Sequence, residues 1–265
     1  TPAPAGRVLR VERSAYRTLY VVEDGTHHWR CLTFGKADGR QSCVDPAHPE
    51  RLLFDYTRAT LGVLYLNPHP QRVLIVGLGG GVMPRAFRQA VPGVAVDAVE
   101  IDPAVVAAAR RDFGYRDGDG VATHIQDARV FVRAQAKAGV RYDIVVLDAF
   151  DKDYIPEHLL TQEFLTQVRQ VLAPGGAIAA NTFARSALRA HEQATYQVVF
   201  GPLLEIAVDS GNRILLARPD GLPEPSTVNA RAKEMDSRLA PLDTSSAFLL
   251  PRLHPLETAT ARPLT

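Results

Sequence analysis

The segment RVLIVGLGGG, residues 72–81, constrains the fold more than any other part of the chain. An unbroken apolar run of this kind suits a strand covered on both faces, and Gly77, Gly79, Gly80 and Gly81 allow a sharp turn before a helix that starts near Pro84. Strand, glycine turn and helix make the first half of a βαβ unit, so the spacing predicts an α/β fold around a parallel sheet. The alternation continues through VDAVE, VATHI, YDIVVL and AIAANTF, with helical patterns between them, to about Arg218. LLEIAVD and RILLAR end the series, and the turn at Ser210, Gly211 and Asn212 predicts an antiparallel hairpin. Asp102 before Pro103 reads as a helix N-cap, and Pro174, Gly175 and Gly176 stop a helix that begins near Thr161. Residues 184–199 read as a long helix packed on the sheet.

The flanks differ in texture. From Val8 to about Cys43, short alternating runs such as RTLYVVED and WRCLTF are separated by turn signals, which predicts a small antiparallel sheet. After Arg218 the last 45 residues hold 6 of the 19 prolines, and we expect an irregular wrap or a partly disordered extension. The expected organisation is therefore 1–66, an N-terminal β-domain with a connecting helix; 67–220, a Rossmann-like nucleoside-binding domain; and 221–265, a Pro-rich extension.

Composition narrows the partners. With 30 Lys plus Arg against 29 Asp plus Glu, the net charge of +1 argues against nucleic-acid binding by bulk charge. No stretch approaches the roughly 18 apolar residues of a membrane span, so a soluble, cytoplasmic protein is the expectation. Cys31 and Cys43 are too few for a disulfide framework or a zinc site. They read as small buried hydrophobes, a single disulfide being the alternative. His27 and His28 beside Trp29 lack a third ligand at suitable spacing, so no metal site is expected.

The chemistry gathers where strands end. Glu100 closes the strand after the glycine turn, 23 residues beyond Gly77, where a carboxylate can accept hydrogen bonds from both ribose hydroxyls. The spacing G-x-G-x-G, with acidic residues ending successive strands, favours an S-adenosyl ligand over a dinucleotide. Asp127, in IQDAR, is placed to take a hydrogen bond from an adenine amino group, to cap the helix over ARVFVRAQ, or to do both. YDIVVL runs into Asp148, with Asp151, Asp153 and Glu157 close behind, an acidic loop suited to a cation. Tyr154 could line that pocket or simply pack, and His158 and His191 read as isolated loop or helix residues.

At these residues the chain resembles the polyamine aminopropyltransferases, the spermidine and spermine synthases. The matching pieces are Gln41, the VLIVG strand, VEIDP at 99–103, QDAR at 126–129, Asp148 and Asp151 in D-x-x-D, and LLTQEF. YTR, GLGGG and LDAF followed by IP, HL and EF are similar to a bacterial subgroup of spermidine-synthase-like proteins. The resemblance implies a class I methyltransferase fold, a mostly parallel seven-stranded sheet with helices on both faces, behind the β-domain. It also implies transfer of an aminopropyl group from decarboxylated S-adenosylmethionine to an amine such as putrescine, without a metal. Carried over by motif, Asp148 is the base. Asp151 helps to bind the amine, with Tyr154 of the acidic loop and Tyr56 of YTR as further candidates beside it, and Gln41, Gly77, Gly79, Gly81, Glu100 and Asp127 hold the nucleoside. Self-association as a dimer is a further family expectation.

Three positions depart from the family pattern. The glycine turn of the family reads GGGDGG, with an aspartate for the donor amine; here that position is Gly80. Arg58 stands in FDYTR, where the family reads Tyr-His-Glu, and the only tryptophan is Trp29, so the late tryptophan of the amine pocket is absent. Gly80, together with Arg58 as a partner for the donor carboxylate, motivates methyl transfer from intact S-adenosylmethionine as the alternative. A non-catalytic nucleoside-binding protein of the same fold is the third reading.

Overall fold

The computed structural model describes residues 6–37, 42–150 and 155–265. β1 (Arg7–Arg13), β2 (Thr18–Glu23), β3 (Arg30–Phe34) and β4 (Ser42–Val44) form a four-stranded antiparallel sheet in the order β1-β2-β3-β4. Its inner face, Leu19, Val21, Leu32, Phe34 and Val44, packs against Val105, Val106 and Ala109, so the small sheet is anchored to the larger domain by a shared core.

After α1 (Asp55–Thr60) the alternation runs as the sequence predicts. It comprises β5 (Arg72–Val76), α2 (Val82–Ala90), β6 (Ala95–Glu100), α3 (Pro103–Asp112), β7 (Val121–Ile125), α4 (Ala128–Lys137), β8 (Tyr142–Leu147) and α5 (Gln162–Gln170). β9 (Leu172–Phe183), α6 (Arg189–Phe200), β10 (Leu203–Ala207) and β11 (Asn212–Ala217) follow. With β12 (Leu253–Pro255) at one edge, the order across the sheet is β12-β10-β11-β9-β8-β5-β6-β7, eight strands, of which β9, β8, β5, β6 and β7 run parallel. β5 has β6 on one side and β8 on the other, so the chain winds outward in both directions from β5. A crevice opens there at the carboxyl ends of the strands, the usual ligand position in open α/β sheets.

Two expectations are corrected. Residues 221–265 are no loose wrap: α7 (Pro225–Leu239), α8 (Ser246–Leu249) and β12 (Leu253–Pro255) follow one another, and β12 adds an eighth strand beside β10. Val228, Ala232, Met235 and Leu239, at helical spacing, are buried in the same core as Phe87 and Ile144. Prolines did not forbid this, because Pro225 stands in the first turn of α7, where its missing N–H costs nothing. Cys31 and Cys43 are not free hydrophobes; they form a disulfide across directly opposed positions of β3 and β4. Cross-strand opposition brings two Cβ atoms to bonding range, and that pairing is invisible in a count of two cysteines.

Candidate active site

One cavity of about 530 Å³ lies over the carboxyl ends of β5, β6 and β8 and is closed on one side by the β-domain and α1. Its floor is the glycine turn. Gly77 has φ of 97°, and a side chain there would collide with the carbonyl of Asp148, so the backbones after β5 and β8 approach more closely than any other residue permits. Gly80 sits against the Ser42 hydroxyl and the Phe113 ring, 3.0 and 3.1 Å from where a Cβ would lie. An aspartate, the residue of the family turn, fits here only if the Ser42 and Phe113 side chains give way by a few tenths of an ångström.

The Glu100 side of the cavity is organised by backbone groups. Glu100 Oε1 accepts from the N–H of Leu78 at 3.3 Å and Oε2 from that of Asp102 at 3.2 Å, which aims a buried carboxylate into the cavity. Burial pushes its pKa up, opposed by these two N–H groups and by Arg17. Asp127 fulfils its capping reading: Oδ1 accepts from the N–H groups of Arg129 and Val130, while Oδ2 lies 3.1 Å from His158 Nε2. His158, read from sequence as isolated, therefore lines the cavity beside the carboxylate predicted for adenine. Arg17 also lines it, stacked on Phe34 with its guanidinium 4.5 Å from the ring centre and donating to the carbonyl of Phe150 at 2.9 Å. Nothing in its sequence neighbourhood marked it, since it lies about 130 residues from that partner.

The Asp148 side of the cavity is organised by side chains. Asp148 follows β8 and takes a hydrogen bond from Asn181 Nδ2 at 3.0 Å. Enclosure in the cleft pushes its pKa up to about 7, with Asn181 working in the opposite direction. Tyr56 on α1 lines the same wall, and removal from solvent, with the Asp148 charge nearby, raises its phenol well above the ordinary value. Asn181 and Asn212, both buried, were missed as site residues; only the hairpin turn had been read at Ser210–Asn212.

Of the predicted site residues, the structure brings Tyr56, Gly77, Gly79, Glu100, Asp127 and Asp148 to the one cavity, and Gly81 begins α2 beneath it with φ of 78°. Gln41, Asp151 and Tyr154 lie outside the described residues. Arg58 is a correction: its guanidinium is 2.7 Å from Asp55 and 3.1 Å from Asp243 and does not line the cavity, so a local ion-pair cluster holds the charge proposed for a donor carboxylate. Among the described residues no group of His, Cys, Asp or Glu could hold a metal ion, and no helix is long and apolar enough to cross a membrane.

Comparison with known proteins settles the lineage. The spermine/spermidine synthase domain matches residues 56–199. A polyamine aminopropyltransferase of Vibrio vulnificus is 40% identical over 88% of this chain and 79% of its own length. The chain belongs to the spermine/spermidine synthase family. A probable spermidine synthase from Corynebacterium glutamicum shares the fold over 97% of this chain and 95% of its own, with a TM-score of 0.75 at 21% identity. Human methyltransferase-like protein 13, solved in complex with SAH, superposes on 71% of this chain and covers 93% of its own, with a TM-score of 0.65 at 27% identity. Family membership makes the chain a transferase relative, with a methyltransferase-like domain behind a small antiparallel sheet.

Proposed function

We propose that this protein moves an aminopropyl group from decarboxylated S-adenosylmethionine to an amine such as putrescine. The observation that carries the reading is Asp148. Its carboxyl is held near neutrality at the acceptor end of a cavity whose other end presents Glu100 and Asp127 to a nucleoside. An amine acceptor is an ammonium ion in water and cannot attack until it gives up a proton. A carboxylate titrating near 7 suits both needs, holding the cation when ionised and taking the proton as the nitrogen adds. The C–N bond forms at the methylene beside the sulfonium as the C–S bond breaks, the sulfur leaves neutral as methylthioadenosine, and the proton passes to Asp148. Tyr56 would border the reacting centre, and Glu100 and Asp127 would hold ribose and adenine. Most of the rate then comes from holding nitrogen, carbon and sulfur in line. Asp151 and Gln41 enter this reading through the family motifs alone, Tyr154 through its place in the acidic loop, a dimeric state through the family, and a cytoplasmic setting only as the default for a sequence with no visible targeting signal.

One pair of observations favours a second reading. Gly80 removes the acid for the donor amine, and a human methyltransferase shares the nucleoside-binding domain at 27% identity, so methyl transfer from intact S-adenosylmethionine is the competitor. Calorimetric titration with decarboxylated S-adenosylmethionine, intact S-adenosylmethionine and methylthioadenosine separates the two. Preference for the decarboxylated donor, followed by aminopropyl transfer in an amine screen, is the expected result. Preference for the intact donor overturns it, and binding of none points to a non-catalytic relative.

A further inference from the structure

Asp148 does not meet Asn181 by chance of packing. Asn181 lies in β9 and Asn212 opens the neighbouring antiparallel strand β11, where it stands opposite Phe183. Asn212 Nδ2 donates to Asn181 Oδ1 at 3.0 Å, and Asn181 Nδ2 donates to Asp148 Oδ1 at 3.0 Å. At the far end the Ser210 hydroxyl donates to Asn212 Oδ1 at 2.9 Å, from the turn between β10 and β11. A primary amide has a donor end and an acceptor end, and rotation by half a turn exchanges them. Facing a carboxylate, the two orientations are opposite in sign: one stabilises the charge, the other sets oxygen against oxygen.

We infer that Asn212 is a positioning residue for the reaction: by occupying Asn181 Oδ1 it locks the Asn181 amide with Nδ2 toward Asp148, so that the base can ionise inside an enclosed cleft. The relay runs in a single direction, hydroxyl to amide to amide to carboxylate, and each link leaves the next with its donor turned inward. Buried polar networks of this kind are effective when every member is satisfied, and both asparagines are buried within the sheet. The inference rests on Asp148 being the base of the proposed transfer. Among the described residues, the other titratable or charged groups facing the same cavity are Tyr56 and Asp55 from α1, Glu100 ending β6, Asp127 capping α4, Arg17 of the β-domain, and His158. Among the described residues only Asn181 donates a hydrogen bond to the Asp148 carboxylate.

The test is a carbon-13 NMR titration of the aspartate carboxyls, with Asp148 assigned by its loss in Asp148→Asn, in wild type, Asn181→Leu and Asn212→Leu. Removing the direct donor is expected to move the Asp148 midpoint upward by about one pH unit or more. Asn212→Leu, which touches no atom of Asp148, is expected to move it in the same direction by about half as much. Methylthioadenosine affinity should stay within about twofold of wild type in both variants, which separates positioning from general damage. If Asn212→Leu does not fold, Asn212→Ala reads the same link. An unchanged Asp148 midpoint in a folded Asn212 variant overturns the relay. The titration needs neither donor nor amine, so failure of wild type to transfer an aminopropyl group counts against the proposed function and leaves this result readable.

Discussion

Glu100 and Asp148 end neighbouring regions of one sheet and face one cavity, yet they are held in different ways. Glu100 is gripped by two backbone N–H groups, from Leu78 and Asp102, and therefore by the fold itself. Asp148 is held by a side-chain amide that depends on another side chain. A carboxylate fixed by backbone dipoles is rigid and suited to a constant partner such as ribose. One held by exchangeable side chains can be tuned, and the chemistry of proton transfer needs tuning. The Glu100 half of the cavity is thus written in topology and the Asp148 half in residue choice.

The comparison breaks most sharply at Asp148. Asp148→Asn is expected to lower kcat/KM about a thousandfold, measured by methylthioadenosine release, because it removes the proton acceptor. The same variant should be more stable. A carboxyl that binds its proton more tightly folded than unfolded makes stability fall as pH rises, from the ordinary aspartate range through about 7. At pH 8 the substitution removes that penalty, and thermal unfolding should show a gain of up to about 4 kcal/mol that vanishes near pH 4. Wild-type activity should in turn rise with pH through about 7.

Glu100→Gln probes the other half. Donor affinity should fall about 10–100-fold by calorimetry, as charge-assisted bonds to the ribose weaken, while the amine KM stays unchanged. A matching rise in amine KM would mean that the two halves are not separable. Gly80→Asp restores the family residue but presses on Phe113 and Ser42, so it should cost about 1–2 kcal/mol of stability without tightening donor binding. His158→Ala should be mildest, weakening adenosine binding about two- to fivefold, since an exposed partner of Asp127 contributes little.

The parallel strands and their order of acids were legible because a buried strand is continuous in sequence and its carboxyl end is where loops carry chemistry. The amide relay was not, because it joins β8, β9 and β11, and asparagine in a hairpin turn has an ordinary local explanation. Arg17 was missed for the same reason: its meaning comes from residues about 130 positions away. Arg58 was misread because its pairing with Asp55, three residues earlier in FDYTR, was overlooked and Asp243 lies far along the chain. The C-terminal segment was misjudged by its prolines, although its period of apolar residues was present in VNARAKEMDSRL. The disulfide needed the register of β3 and β4, which alternation alone does not set.

That C-terminal segment has a consequence for how the molecule is made. α7 lies against α2 and the stretch after α1, Arg231 donates to the carbonyls of Tyr65 and Leu66, and β12 closes the sheet edge beside β10. A nascent chain whose glycine turn and acids have already left the ribosome still lacks one wall of its core. Until the residues of α7 through β12 emerge, Val63, Phe87 and their neighbours face water. The acquisition of a stable cleft is thereby deferred until α7 through β12 have been made.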